Sequence, residues 1–438
     1  MQNLSEADAK LLDAIRAKMQ SCRAIAGLGG KPIGFPDLDE KLWRIGRELV
    51  GDKSAGDASG PDVYLATQLY VDGGHTALIG DFVRALGQEK TARLILTNIE
   101  NLNPAPLPET IRSRLAVAPK NISILTGESL AVRLESLVAQ LLETKPRRLF
   151  LFHHPDDPIA CAASQPEIAR QRIMVHHTDF APSLGLHLPG IQLIDLNPIA
   201  ASVSRVLGLT SSWLPLFAPD PGPRPAGFLR RGKVVTASSG GAFKFTRDYF
   251  YSYPRTVAIV LRETGGWHVH IGGLEAKTLS EIEEALAREG VARERFIHIP
   301  WVFSVAKALW ENDVDLFLAS FPLDGARTSA EVFASATPYL GHSANPRSDA
   351  DGKIFWNTWD KLNEILHAAD EKFLEEHARI SRRIYEDLHQ PREFRARLLR
   401  ILDGQGGRED PQAEQRDLRT MKGMLRALIA AAYQEDAD

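Results

Sequence analysis

Two adjacent-histidine pairs, a histidine and a lysine that each follow two glycines, and a threonine-serine-glutamate cluster hold the side chains of this sequence best suited to chemistry. His153-His154 precede Pro155-Asp156-Asp157, and His176-His177 precede Thr178-Asp179. An imidazole titrates near neutral pH, so His75 and His177, the latter with Asp179, are candidates to hold or deprotonate a hydroxyl group. Each could equally be satisfied by a nearby backbone carbonyl. Neighbouring residues on an extended segment point to opposite faces, so neither pair is expected to give two ligands to one ion, and no metal is expected. One member of each pair is expected to face the cleft between the two domains.

The second set suits an anion. Residues 314–319 (VDLFLA) are too few for an amphipathic helix and fit a buried parallel strand. A turn with Pro322 and Gly325 follows, then Arg327-Thr328-Ser329 and Glu331. A helix beginning at Thr328 would leave its first amides unpartnered at the positive end of its dipole, which favours phosphate, with Glu331 one turn on and within reach of a ribose diol. The same residues also fit a capping box, in which hydroxyl and carboxylate satisfy each other's backbone donors. Upstream, residues 233–237 (KVVTA), Ser238-Ser239-Gly240-Gly241 and then Lys244 form another strand, small-residue loop and cation.

The elements that position these groups alternate. Between the two anion loops the sequence predicts a helix over 253–262, strand 267–272, helix 280–289, strand 295–299 and helix 304–311, which is a doubly wound α/β order. Ligands of such sheets lie at the carboxyl ends of the strands, where both loops fall. The first half repeats the theme with strands at 61–70, 92–97, 122–125, 148–152, 172–175 and 191–195 and helices at 75–86 and 129–142. Residues 1–55 form a helical extension with helices at 6–21 and 39–49, expected to pack on the core or on a partner. This divides the chain into 1–55, a first Rossmann-like domain at 56–213, a proline-rich linker at 214–232, a second domain at 233–400 and a helical tail at 401–438 with a helix at 416–433. No tandem repeat is present.

Residues 233–340 resemble the carboxy-terminal, nucleotide-sugar-binding domain of the GT-B glycosyltransferases, most closely the O-GlcNAc transferase branch and the bacterial cytoplasmic N-glucosyltransferases. The family's lysine after the first strand of that domain is matched by Lys244, and its strand-Pro-x-x-Gly-x-Thr-Thr turn by residues 321–328. Ala326 stands where the family has a histidine, and Arg327 where it has its first threonine, which shifts expected diphosphate contacts to Arg327, Thr328 and Ser329. The resemblance implies an α/β fold of two Rossmann-like domains facing a cleft. It also implies an inverting, metal-independent transferase using a UDP-sugar, with Glu331 on the ribose and Trp301 near the base. Strand, Gly-Gly-His75, helix resembles the first loop of many GT-B amino-terminal domains, and the HHTDF context of His177 a histidine-aspartate element of bacterial members. Beyond the donor no cofactor is expected, and the acceptor is left open among protein, glycan and small molecule.

Composition narrows the alternatives. At 438 residues, two domains are expected. A net charge of −4 without a basic aromatic patch gives no case for nucleic acid. Cys22 and Cys161 are too few and too far apart for a disulfide framework or a cysteine metal site. The acidic start and the lack of a long apolar run predict a cytoplasmic chain, with oligomerisation through the helical extensions an option. The rival readings are a sugar-nucleotide epimerase of the same fold, a noncatalytic partner of a transferase, and a nicotinamide-dependent oxidoreductase, the last disfavoured because no GxGxxG opens a helix after a strand.

Overall fold

The computed structural model describes residues 4–24, 34–51, 59–71, 74–177, 181–246, 250–321, 324–342 and 354–405. The expected helix at 416–433 and the site residues Asp179 and Pro322 lie outside them. The chain divides into two compact units, Met1–Leu214 with Arg397–Asp438, and Pro215–Ala396.

The first unit is built on seven parallel strands: β1 (Val63–Ala66), β2 (Arg93–Leu96), β3 (Ile122–Ile124), β4 (Arg148–Phe152), β5 (Gln171–His176), β6 (Gln192–Asp195) and β7 (Ser211–Trp213). Their order is β3-β2-β1-β4-β5-β6-β7. Valine, leucine and phenylalanine fill both faces of β1 and β4, as helices on either side of a parallel sheet require. The order reverses between β1 and β4, which pair in register Val63 to Leu149 through Ala66 to Phe152. Neighbouring loops there diverge to opposite faces of the sheet and open a crevice at the carboxyl ends.

The amino-terminal helices Glu6–Ala24 and Pro36–Val50 pack on this unit's own core, through Leu12, Ile15, Met19, Leu42 and Ile45 against Leu134 and Leu137. Close approach demands glycine at position 46, where a Cβ would lie 1.9 Å from the Ala162 carbonyl oxygen. Buried Asp39, from the second of these helices, accepts hydrogen bonds from the backbone amides of Gly185 at 2.7 Å and His187 at 2.8 Å. Burial still raises its carboxyl pKa to about 6, against the pull of those two amides.

The second unit has six parallel strands: β8 (Val235–Ser239), β9 (Trp267–Ile271), β10 (Phe296–Ile299), β11 (Leu316–Leu318), β12 (Tyr339–His342) and β13 (Ile354–Trp356). They run β10-β9-β8-β11-β12-β13, so its reversal lies between β8 and β11. Two cores cover the sheet, one through Val257, Leu261, Ile282 and Trp356, the other through Val269, Leu309, Phe317 and Phe333.

The proline-rich stretch expected as a semi-rigid linker is bonded along the second unit. From Pro215 it belongs to the second unit. The Arg224 guanidinium donates to the Val314 carbonyl at 2.7 Å, the Leu229 amide to Asp315 at 2.8 Å, and the Ala218 amide to the His389 carbonyl at 3.1 Å. Proline removes helix hydrogen bonds, yet the remaining backbone groups still need partners, and this sheet's margin supplies them.

Candidate functional site

In the second unit the chain's two anion loops meet. Strands β8 and β11 pair side by side, Leu316 beside Thr236 and Phe317 beside Ala237, so their following loops leave the same edge. Lys244 closes a short 3-10 turn, Ala242–Lys244, after β8. Its Nζ donates to the carbonyl of Asp324, in the loop after β11, at 2.8 Å. A Cβ on Gly325 would sit 3.4 Å from that same Nζ. The two loops expected to cooperate therefore touch, and the cation stands at the start of the next helix.

That helix is Ala326–Ala334, with Gly325 as its N-cap and no side-chain cap. The expected start at Thr328 is two residues late, and a capping box centred on Thr328 does not form. An extended glycine at the cap leaves the amides of Ala326, Arg327 and Thr328 without intrahelical acceptors, at the positive end of the dipole. Asp324 lies beside this end with its oxygens engaged: Oδ1 accepts from the Gly325 amide at 2.6 Å, and Oδ2 from the Tyr339 hydroxyl.

Two expected donor contacts are committed elsewhere. Ser329 is buried, and its hydroxyl donates to the Gly325 carbonyl at 2.5 Å, the usual outlet for a serine inside a helix. Glu331 Oε2 accepts from the amides of Val305 at 2.6 Å and Ala306 at 3.3 Å, capping the neighbouring helix Val305–Glu311. Glutamine in place of Glu331 keeps an oxygen for those amides. Glu331→Gln is therefore expected to lower the thermal midpoint by less than about 2 °C and to leave UDP affinity within about twofold; a tenfold loss measured by calorimetry would return the residue to the ribose.

Around the same edge, Gly272 follows β9 at φ +130°, and a Cβ there would meet the Gly240 carbonyl oxygen at 2.3 Å. Glycine is required because the β8 and β9 loops press together. Beyond β10, Trp301 is 63% exposed and Phe303 93%. Apolar rings left in solvent at the ligand edge of a parallel sheet offer stacking faces for a planar group. The family resemblance pointed to Trp301; Phe303, in the same loop, was passed over.

In the first unit, the carboxyl ends of β1, β4 and β5 bring three histidines together. His75 opens the helix His75–Ala85 after β1, His154 follows β4 and His177 follows β5. The rings of His75 and His177 lie 4.4 Å apart between centroids, and that of His154 is 5.6 Å from His75. His75 Nε2 is 2.9 Å from the Phe152 carbonyl, a contact that places its proton there, while Nδ1 is buried with no hydrogen-bond partner among the described residues. His154 stacks on Tyr70 at 5.6 Å with 7° between the planes. Burial lowers the His75 pKa to about 4, and burial followed by the two neighbouring imidazoles lowers that of His177 well below the usual value. His154 is held by a buried frame: its amide donates to the Thr67 hydroxyl, and Asp157 accepts from Thr67 at 2.7 Å and from Thr97 at 2.5 Å.

His153 and His176, the other member of each pair, turn inward as the alternation of side chains requires. His153 meets the Leu184 carbonyl at 3.0 Å, and His176 meets buried Asp195 at 2.8 Å. Opposite facing within each pair was legible; that the outward members of different pairs would converge on His75 was not. His154 is thus the residue of this cluster that sequence reasoning passed over.

No family model matches this sequence, and no curated protein does. Solved structures do share its fold. Anabaena HepE in complex with UDP superposes with a TM-score of 0.59 at 11% identity, covering 78% of this chain and 100% of that one. The O-GlcNAc transferase of Thermobaculum terrenum, in a mutant form, gives 0.54 at 14% identity over 93% of this chain and 79% of that one. A putative UDP-N-acetylglucosamine 2-epimerase from Listeria monocytogenes gives 0.51 at 10% identity over 78% and 96%. At such identities the likeness establishes architecture: two Rossmann-like units of the GT-B type with helices at both ends.

Proposed function

We propose, from a GT-B fold carrying a cation at the β8/β11 reversal, that this protein transfers a sugar from a UDP-sugar to an acceptor without a divalent ion at the diphosphate. The observation that supports this most is the Lys244 ammonium at the start of the helix Ala326–Ala334, beside the Asp324 carbonyl. HepE, a structure of the same fold, was solved with UDP.

Departure of UDP builds negative charge on its β-phosphate while the sugar becomes oxocarbenium-like. Fixed donors already aimed at that position lower the barrier because nothing has to reorient during the reaction. Lys244 contributes a full charge, the amides of Ala326, Arg327 and Thr328 contribute the helix dipole, and Arg327 lies in the same first turn. Trp301 and Phe303 supply apolar faces for the uracil ring. Glu331 serves chiefly to cap the adjoining helix.

The acceptor is assigned to the first unit, where His75 and His177 stay neutral at physiological pH. With a pKa near 4, His75 is a weak proton sink at pH 7, so holding a hydroxyl in place suits it better than removing its proton. The inverting outcome and a cytoplasmic location belong to the same reading; among the described residues no helix is long and apolar enough to cross a membrane.

The Listeria epimerase shares the fold, which makes sugar-nucleotide epimerisation the second reading. A panel of nucleotide sugars separates them. Slow UDP release from a UDP-hexose, accelerated by an acceptor extract and leaving a glycoside, is the expected result. A C2-epimerised sugar as product would favour the epimerase, and silence toward every uridine donor would end the transferase reading.

A further inference from the structure

The geometry points to a binding site for a divalent transition ion of the zinc class, held by His75, His154 and His177. One ring nitrogen from each lies within 4.8 Å of the other two. Tetrahedral zinc at its ordinary bond length needs nitrogens roughly 3.3 Å apart. A bound ion therefore requires the three nitrogens to draw closer together than they stand.

Several independent features favour an ion over a chance cluster. The ligands come from three different strand ends, β1, β4 and β5, brought together by the sheet order rather than by proximity in sequence. His75 has its Nε2 on a backbone carbonyl and leaves a buried Nδ1 with no hydrogen-bond partner among the described residues, the arrangement that fixes a ligand's tautomer. His177 directs Nδ1 toward the Val175 carbonyl at 3.3 Å, which commits its proton to that nitrogen and leaves Nε2 as the acceptor. Imidazole alone, with no thiolate or carboxylate in the set, suits zinc, copper, nickel or iron over calcium or magnesium. Three protein ligands leave the fourth position of a tetrahedral ion for water or another small oxygen ligand.

The site shares His75 and His177 with the acceptor seat proposed above, and its test reads metal content rather than turnover, so the two readings fail separately. Full-length protein is stripped with a chelator and titrated with Zn²⁺ and with Co²⁺. One equivalent of each should bind, the cobalt form should show the visible bands of tetrahedral coordination, and His154→Gln should weaken zinc binding by more than about 100-fold. His367→Ala, at an exposed histidine beside Glu263, should change nothing. Because a buried substitution can unfold the unit, X-ray absorption on the unsubstituted zinc form gives a second readout, and three imidazoles per zinc are expected. Failure of both ions to bind stoichiometrically, binding that survives His154→Gln unchanged, or fewer than three imidazoles around the zinc would each overturn the site.

Discussion

Lys244→Ala is expected to lower kcat for a UDP-sugar about 100-fold or more, the cost of removing one preorganised donor from a developing oxyanion. The side chain reaches from the 3-10 turn after β8 to the Asp324 carbonyl, 2.8 Å away, which places its charge at the first turn of the next helix. Its loss leaves the dipole of the helix Ala326–Ala334 as the chief fixed positive field there. Because the ammonium is exposed and sits outside either core, folding should be nearly unaffected, so the thermal midpoint controls for damage. Lys244→Arg should recover only part of the rate, since a planar guanidinium cannot take the place of a compact ammonium against the same carbonyl. A rate within threefold of the parent protein would show that the diphosphate binds elsewhere.

A steep loss of stability below pH 6.5 is the second large effect. Burial lowers His268 to about 3, His270 to about 2 and His342 to about 4. His268 and His270 both bond the hydroxyl of buried Tyr253, at 3.0 and 2.6 Å. Each group is neutral when folded, but in the unfolded chain it takes up a proton near its ordinary value of about 6.5. Between that value and the folded one, the unfolded state binds more protons, so stability falls as the pH drops and is flat above about pH 7. Three such histidines give a slope of about 4 kcal/mol per pH unit near pH 5. Five of the seven tryptophans (267, 301, 310, 356 and 359) lie in the second unit, so denaturant titrations followed by tryptophan fluorescence report mainly on it. His270→Gln should reduce the slope by about a third. A midpoint constant from pH 7 to pH 5 would contradict the neutral, buried state of these rings.

Local pattern carried most of the fold. Short β-rich apolar runs became β1, β4, β8 and β11, and the alternation with helices gave two parallel sheets. The strands passed over, β7, β12 and β13, are only three or four residues long, and β7 and β13 sit at sheet edges, where one neighbour suffices and the apolar signal shrinks. Helix starts were misjudged where chemistry was read into side chains. Thr328 and Ser329 looked like caps, yet Gly325 starts the helix with backbone alone, and the Ser329 hydroxyl folds back on the preceding turn. Glu331 was assigned by its distance along the helix, whereas its bond partners, Val305 and Ala306, come from another helix altogether. The histidine cluster fails for the same reason: spacing within each pair is visible in sequence, but the meeting of β1, β4 and β5 ends depends on strand order.

Calorimetric titration of the full chain with UDP, GDP, ADP and NAD tests the central claim most directly, because it asks whether the β8/β11 edge is a seat for a uridine diphosphate before any acceptor is known. UDP should bind one per chain, more tightly than the other three, and Lys244→Ala should weaken it at least tenfold. Binding of NAD in preference to UDP, or a UDP affinity indifferent to Lys244→Ala, would contradict the account.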